Sequence, residues 1–174
     1  MLPKPAAACG CIYPENASEA FEQASAVFAG ELVIAKGERK QKGMTGPIEN
    51  RTVNLFEVET AWKGVEHAQV MVHTSWDSCQ IVFEEGQSYL IYAVEGRDGD
   101  LYAGTCNRTP ELSQAGEDLT VLGPGMTNLE QIDLRGKMRW ITDKDYDLLI
   151  VGSAAMLGIM TIWLLFKRFR RNRN

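Results

Sequence analysis

Apolar positions recur along this chain in two distinct ways. Between residues 27 and 105 they come in short runs enriched in β-branched and aromatic residues: 27–35, 52–62, 69–74, 88–94 and 101–105. Each run reads as a strand, and five strands in so short a stretch predict a small all-β domain closed as a barrel, with helices at its flanks. Ahead of them, Asn16 and Glu19 stand three apart as in a capping box. Ala20, Phe21 and Ala24 then give a short helix its apolar face, ending near Ser25. Residues 36–50, rich in Gly and Lys with one Pro, are expected to form a long mobile hairpin loop between the first two strands. Arg97-Asp98-Gly99-Asp100 marks a tight turn. Residues 110–122 are expected as a helix packed on the barrel, and Gly123-Pro124-Gly125 then ends the domain.

The second pattern is continuous. Residues 148–166 read LLIVGSAAMLGIMTIWLLF, 19 residues without a charge, and at about 1.5 Å per residue such a helix spans a bilayer's hydrocarbon core. Asp143, Asp145 and Asp147 precede it, and Lys167, Arg168, Arg170, Arg171 and Arg173 follow it. The cationic end belongs on the cytoplasmic side by the positive-inside rule, which places the N-terminal body outside. The expected location is therefore the cell membrane, single-pass, with an extracytoplasmic N-terminal domain and a cytoplasmic tail. The expected organisation is a leader or signal-peptide remnant at 1–8, a folded domain at 9–122, a juxtamembrane linker at 123–147, a transmembrane helix at 148–166 and a basic tail at 167–174.

Composition narrows the function. A chain of 174 residues, 45% hydrophobic, has enough apolar material for one core. Five cations sit in the last eight residues, so the body is more acidic than the net charge of −5 suggests. Nucleic acid is thereby excluded as the main partner, because phosphate binding needs a basic face. The chain has no GxSxG, phosphate-loop or HExxH motif, so neither an enzyme nor a cofactor is expected. His67 and His73 fall at a turn and in a strand with no second-ligand pattern, and read as surface or packing residues. Asn16, Asn50 and Asn107 each begin an N-x-S/T sequon.

The four cysteines are the remaining candidates for chemistry. In an exported domain they read as two disulfides. Cys9 and Cys11 are too close for an unstrained bridge to each other in an extended chain, so each reaches either Cys79 or Cys106. A four-thiolate zinc site is disfavoured because the paired CxxC knuckles are missing.

The N-terminal CxC, the short helix, VFAGELV, the strand ending TAWKG, Cys79 followed by FEEGQSYLIYA, and LYAGTCNRT together resemble the netrin-like domain of the tissue inhibitors of metalloproteinases, over about residues 9–122. The resemblance implies a five-stranded OB-fold barrel with the pairings Cys9–Cys79 and Cys11–Cys106, and no counterpart of a third family disulfide. It also implies a mechanism and a partner, a zinc metalloprotease. The α-amine and carbonyl of an N-terminal Cys9, freed by cleavage after Ala8, would ligate the protease zinc and displace its water. The chain itself would hold no metal. Gly10 would face the protease specificity pocket without a side chain to bury, which predicts weak inhibition or a narrow target pocket. Cys11, and Trp76, Asp77 and Ser78 just before Cys79, would complete the contact ridge. The other reading is a module that binds another envelope protein without touching a metal.

Overall fold

The computed structural model describes residues 10, 11, 13–41, 46–77, 79–141 and 163. The expectations for the leader, Cys9, Ser78, the membrane-spanning run and the tail lie outside these residues, apart from the helical Trp163. The chain divides into two compact units, Met1–Ile141 and Thr142–Asn174. Among the described residues, no helix is long and apolar enough to cross a membrane.

The first unit is strand-rich. It opens with helix α1 (Ala17–Gln23), whose N-cap is Asn16: the Glu19 amide donates to Asn16 Oδ1 at 2.9 Å. The return arm of the box shifts by one residue, because Glu19 Oε2 accepts from the Glu15 amide, before the cap. Ala20 and Ala24 are buried against strand residues Val27, Leu90 and Tyr92, which is the face the sequence pattern predicts.

Five strands follow: β1 (Ala26–Gln41), β2 (Ile48–Lys63), β3 (Gln69–Ser75), β4 (Ser88–Glu95) and β5 (Leu101–Tyr102). Their ladders close on themselves in the order β1-β2-β3-β5-β4, since β1 pairs with both β2 and β4. All pairings are antiparallel except β3 with β5. The core inside this ring holds Phe28, Leu32, Phe56, Val72, Phe83, Tyr89 and Ile91. Phe56 makes edge-on contacts with Phe28, Phe83 and Tyr89, with ring centroids 5.3–6.4 Å apart. Gly64, which ends the TAWKG segment, has φ +66°, and a Cβ there would overlap the Ser25 carbonyl oxygen, so only glycine suits this turn.

Four expectations need correction. The segment 36–50 is chiefly ladder: β1 and β2 stay in register from Lys36↔Val53 to Gln41↔Ile48. Its polar composition hides strand because it extends beyond the apolar core, where one face is paired by charges and the other carries the Trp76 indole over Gly37 and Thr52. The fifth strand is shorter than 101–105, giving way to a 3-10 turn at Thr105–Asn107. Residues 110–122 form a bridge at Glu111, a 3-10 turn at Leu112–Gln114 and helix α2 (Gly116–Leu122) rather than one helix.

The domain also does not stop at residue 122. Met126 pairs with Ala61, the Trp62 indole donates to the Gly123 carbonyl at 2.8 Å, and helix α3 (Arg135–Trp140) buries Met138 against Val53 and Leu55. Residues 123–141, expected as linker, are therefore part of the folded unit. Inward-facing Phe56 and outward-facing Leu55 are both fully buried because this tail covers the outer face of β2.

Candidate functional site

Of the expected contact residues, Trp76 and Asp77 stand in the turn that leaves β3, and Cys11 is linked to that turn through Cys106 and Thr105, while Cys9 and Ser78 lie outside the described residues. Cys11 is bonded to Cys106, with Cα atoms 5.8 Å apart and a sequence separation of 95. In the chain-entropy model a loop of this size contributes about 4–5 kcal/mol. Cys79 is also disulfide-bonded; its implied partner Cys9 lies outside the described residues. The Cys79 carbonyl accepts from both the Thr105 amide and the Thr105 hydroxyl, at 3.1 Å each. The 76–79 turn and the Cys106 segment are thereby joined by backbone as well as by sulfur.

Gly10 and Cys11 are exposed, and a Cβ on Gly10 would meet none of the described residues within 4 Å. Asp77 closes the turn by accepting the Cys79 amide at 2.9 Å. Trp76 is 55% exposed yet held in place. Its backbone amide donates to the Asn50 carbonyl at 3.2 Å, its indole donates to Thr52 Oγ1 at 2.7 Å, and its six-membered ring lies over Gly37. An exposed indole fixed at both backbone and ring loses little conformational freedom on contact, which is the property of an interface anchor. Trp76 thus leans on the β1–β2 hairpin, a support that composition did not suggest.

Sequence reasoning missed a charged cluster on the other face of that hairpin. Arg51, 6% exposed, donates through Nε to Glu38 at 2.6 Å and through Nη1 to Asp100 at 2.8 Å and the Tyr102 hydroxyl at 2.6 Å, with Asp98 at 3.2 Å. Lys40 reaches Asp98 and Asp100 at 2.7 and 2.9 Å. Burial disfavours the Arg51 charge, but its bonds to Glu38 and Asp100 win and raise its pKa. Burial also opposes ionisation of Asp100, while hydrogen bonds from Lys40 and Arg51 hold its carboxyl below the ordinary range. The Lys40 hydrogen bond does the same for Asp98.

His73 borders this cluster, its Nε2 3.7 Å from Asp100 and its ring tilted against Tyr102. Its Nδ1 is buried without a hydrogen-bond partner. Burial first, then the Arg51 charge, pushes the imidazole down to about 4, so it is neutral at neutral pH. The single sequence clue was the run Arg97-Asp98-Gly99-Asp100, which reads as a turn and says nothing of its cationic partners.

A second buried ion pair braces the neighbouring segment. Arg108, in the left-handed region at φ +49°, grips Asp118 of α2 with both Nε and Nη2, and the Tyr92 hydroxyl donates to the same carboxylate at 3.0 Å. Among the described residues no group of three or more His, Cys, Asp or Glu is arranged to hold a metal ion. His67 sits half-exposed 3.3 Å from Glu130. No protein-family model matches this chain, and no curated protein matches it significantly.

Proposed function

We propose that this chain is a membrane-tethered, extracytoplasmic netrin-like domain of the OB-fold class that binds a protein partner through the edge formed by Gly10, Cys11, Trp76 and Asp77. The closed strand order, the helix before β1 and the Cys11–Cys106 bridge are what such a domain needs, and the uncharged run at 148–166 supports the tether. The observation that carries the binding role is the immobilised, exposed Trp76. A surface indole held by the hairpin beneath it adds nothing to the core, whereas rigid aromatics of this kind dominate interface energies. Trp76→Ala should weaken partner capture at least tenfold while leaving the unfolding midpoint within a few degrees. Equal capture by both proteins would sink the edge assignment.

A second reading makes the partner a zinc metalloprotease, and the open surroundings of Gly10 favour it. A Gly10 with none of the described residues packed over it is free to enter a cleft. Intact-mass and N-terminal analysis of unreduced protein from its native membrane is the test. A chain beginning at an unmodified Cys9 with two disulfides should inhibit at least one member of a zinc-protease panel, with the inhibition constant changed by Gly10→Val. A retained leader or an acylated Cys9 rules out chelation and leaves the metal-free module.

A further inference from the structure

His73 and Trp76 leave β3 and its end on opposite faces of the sheet. His73 stands across the ladder from Val53, on the Arg51 side, while the Trp76 indole lies over Gly37 and Thr52. We infer that His73 is a proton-sensitive catch on the β1–β2 extension: the closed extension accommodates one imidazole proton, and uptake of a second opens Lys36–Gln41 from Ile48–Val53 and removes the support of Trp76. The inference rests on the proposed binding edge for its functional consequence, release of a partner in acid.

Hydrogen bonding is the first argument. His73 is 5% exposed, so its ring faces protein rather than water. Its Nε2 looks towards the Asp100 carboxylate at 3.7 Å, which makes Nε2 the nitrogen that carries the proton of the neutral ring. Nδ1 is then a bare lone pair, buried with no hydrogen-bond partner among the described residues. A second proton would sit on Nδ1 as a buried donor of a charged ring with no acceptor in reach, and the closed arrangement has no means of satisfying it.

The surrounding charges supply the second argument. Glu38 and Lys40 face the ring from β1, Arg51 from β2, and Asp98, Asp100 and Tyr102 from the turn and strand after β4. Asp100 is the carboxylate beside the ring, and it already accepts from both Lys40 and Arg51. An imidazolium would have to share it with these two cations. Burial and then Arg51 oppose the charged ring, with Lys40 on the same side, and they outweigh Asp100 and Glu38, which favour it. Opening the extension lets water reach both ring nitrogens and ends the crowding. The ladder from Lys36↔Val53 to Gln41↔Ile48 has the least apolar support and is the part that yields. Gly37 and Thr52 lie within it, so the platform under Trp76 goes with it.

The test is hydrogen–deuterium exchange of the full-length protein in nanodiscs at pH 7.5 and 5.0, corrected for the intrinsic amide rate. Peptides covering 36–41 and 48–53 should open about 30-fold more readily at pH 5.0, the factor expected when opening returns the imidazole from about 4 to 6.5, and should lose protection before residues 88–94. Asp98 and Asp100 are held below the ordinary carboxylate range and stay ionised across this window. His73→Phe should cut the pH effect to below about threefold, with His73→Gln as the second variant if Phe disturbs the ladder. His67→Gln, at the Glu130 contact, should leave the effect intact. An extension that opens equally at both pH values, that exchanges only together with residues 88–94, or that keeps its pH effect in both His73 variants overturns the inference. Acid opening that depends on His73, in a protein whose partner capture ignores Trp76→Ala, keeps the catch and removes the edge. Capture that needs Trp76, with an opening that ignores pH, keeps the edge and removes the catch.

Discussion

The two ends of the β1–β2 hairpin are held by opposite physics. Near the closed ring, Phe28, Leu32 and Phe56 are buried in an aromatic core where nearly any well-fitting apolar residue supplies attraction. Beyond it, from Lys36↔Val53 to Gln41↔Ile48, the same two strands continue with almost no apolar support, and Arg51, Glu38, Lys40, Asp98, Asp100 and Tyr102 take over. The apolar end is non-directional and tolerant; the charged end depends on particular atoms meeting at particular distances. That difference explains why the proposed binding edge leans on the charged end. Its ladder carries Trp76 through Gly37, Asn50 and Thr52, and a partner-facing platform has to hold its shape at the surface, where hydrophobic burial is not available.

The largest effect should come from emptying the apolar end. Phe56→Ala removes the ring that touches Phe28, Phe83 and Tyr89 and should cost about 3–5 kcal/mol in urea unfolding. A loss under 1 kcal/mol would mean that the ring does not depend on its aromatic centre. Next, Met138→Ala should cost about 2–4 kcal/mol, because Met138 is fully buried over Val53 and Leu55. A neutral result would return residues 123–141 to the status of a linker.

Breaking the charged end should be milder overall and more local. Arg51→Met leaves Glu38, Asp98 and Asp100 without their buried partner, yet these carboxylates are a quarter to a third exposed, so water recovers part of the loss. The global cost should be about 1–3 kcal/mol, while amide exchange in β1 and β2 beyond Val53 should accelerate far more than exchange around Phe56. Uniform acceleration would contradict the two-ended description.

The smallest effect is a pH dependence. His73 has a folded pKa lowered to about 4 from an ordinary value of 6.5, so the fold holds it neutral. Its contribution is fully present above pH 6.5 and is lost as pH falls from 6.5 towards 4, because the unfolded chain takes up the proton first. Asp98 and Asp100, whose pKa values are lowered, contribute above the ordinary carboxylate range and are lost only at lower pH. Stability measured between pH 7 and 4.5 should therefore decline in the native protein and decline less in His73→Phe. Identical slopes would show that His73 is not the titrating group.

Much of the apolar architecture was readable in advance for one reason: a period-two or 3.6 pattern needs only local sequence to be seen. The capped helix at Asn16, the central parts of all five strands and the turn at Arg97-Asp98-Gly99-Asp100 belong to this class. The distal hairpin was not, since Glu38 and Arg51 look like loop residues until the ladder sets them side by side. Nor was the packing of 123–141, where a lone Met138 among basic residues gives no periodicity to detect. At the candidate edge, the sequence nominated Gly10, Cys11, Trp76 and Asp77, but not the support of Trp76 on Gly37 and Thr52.

By itself, then, the sequence determined the strand-rich class, the acidic body, the uncharged run before a basic tail and the small set of cysteines able to bridge, because composition and short-range spacing carry those properties. Tertiary structure alone decided that Arg51 is a buried hub and that Trp76 is fixed while exposed. Each of these depends on groups brought together from distant positions, where free energy is set by geometry that no local pattern records.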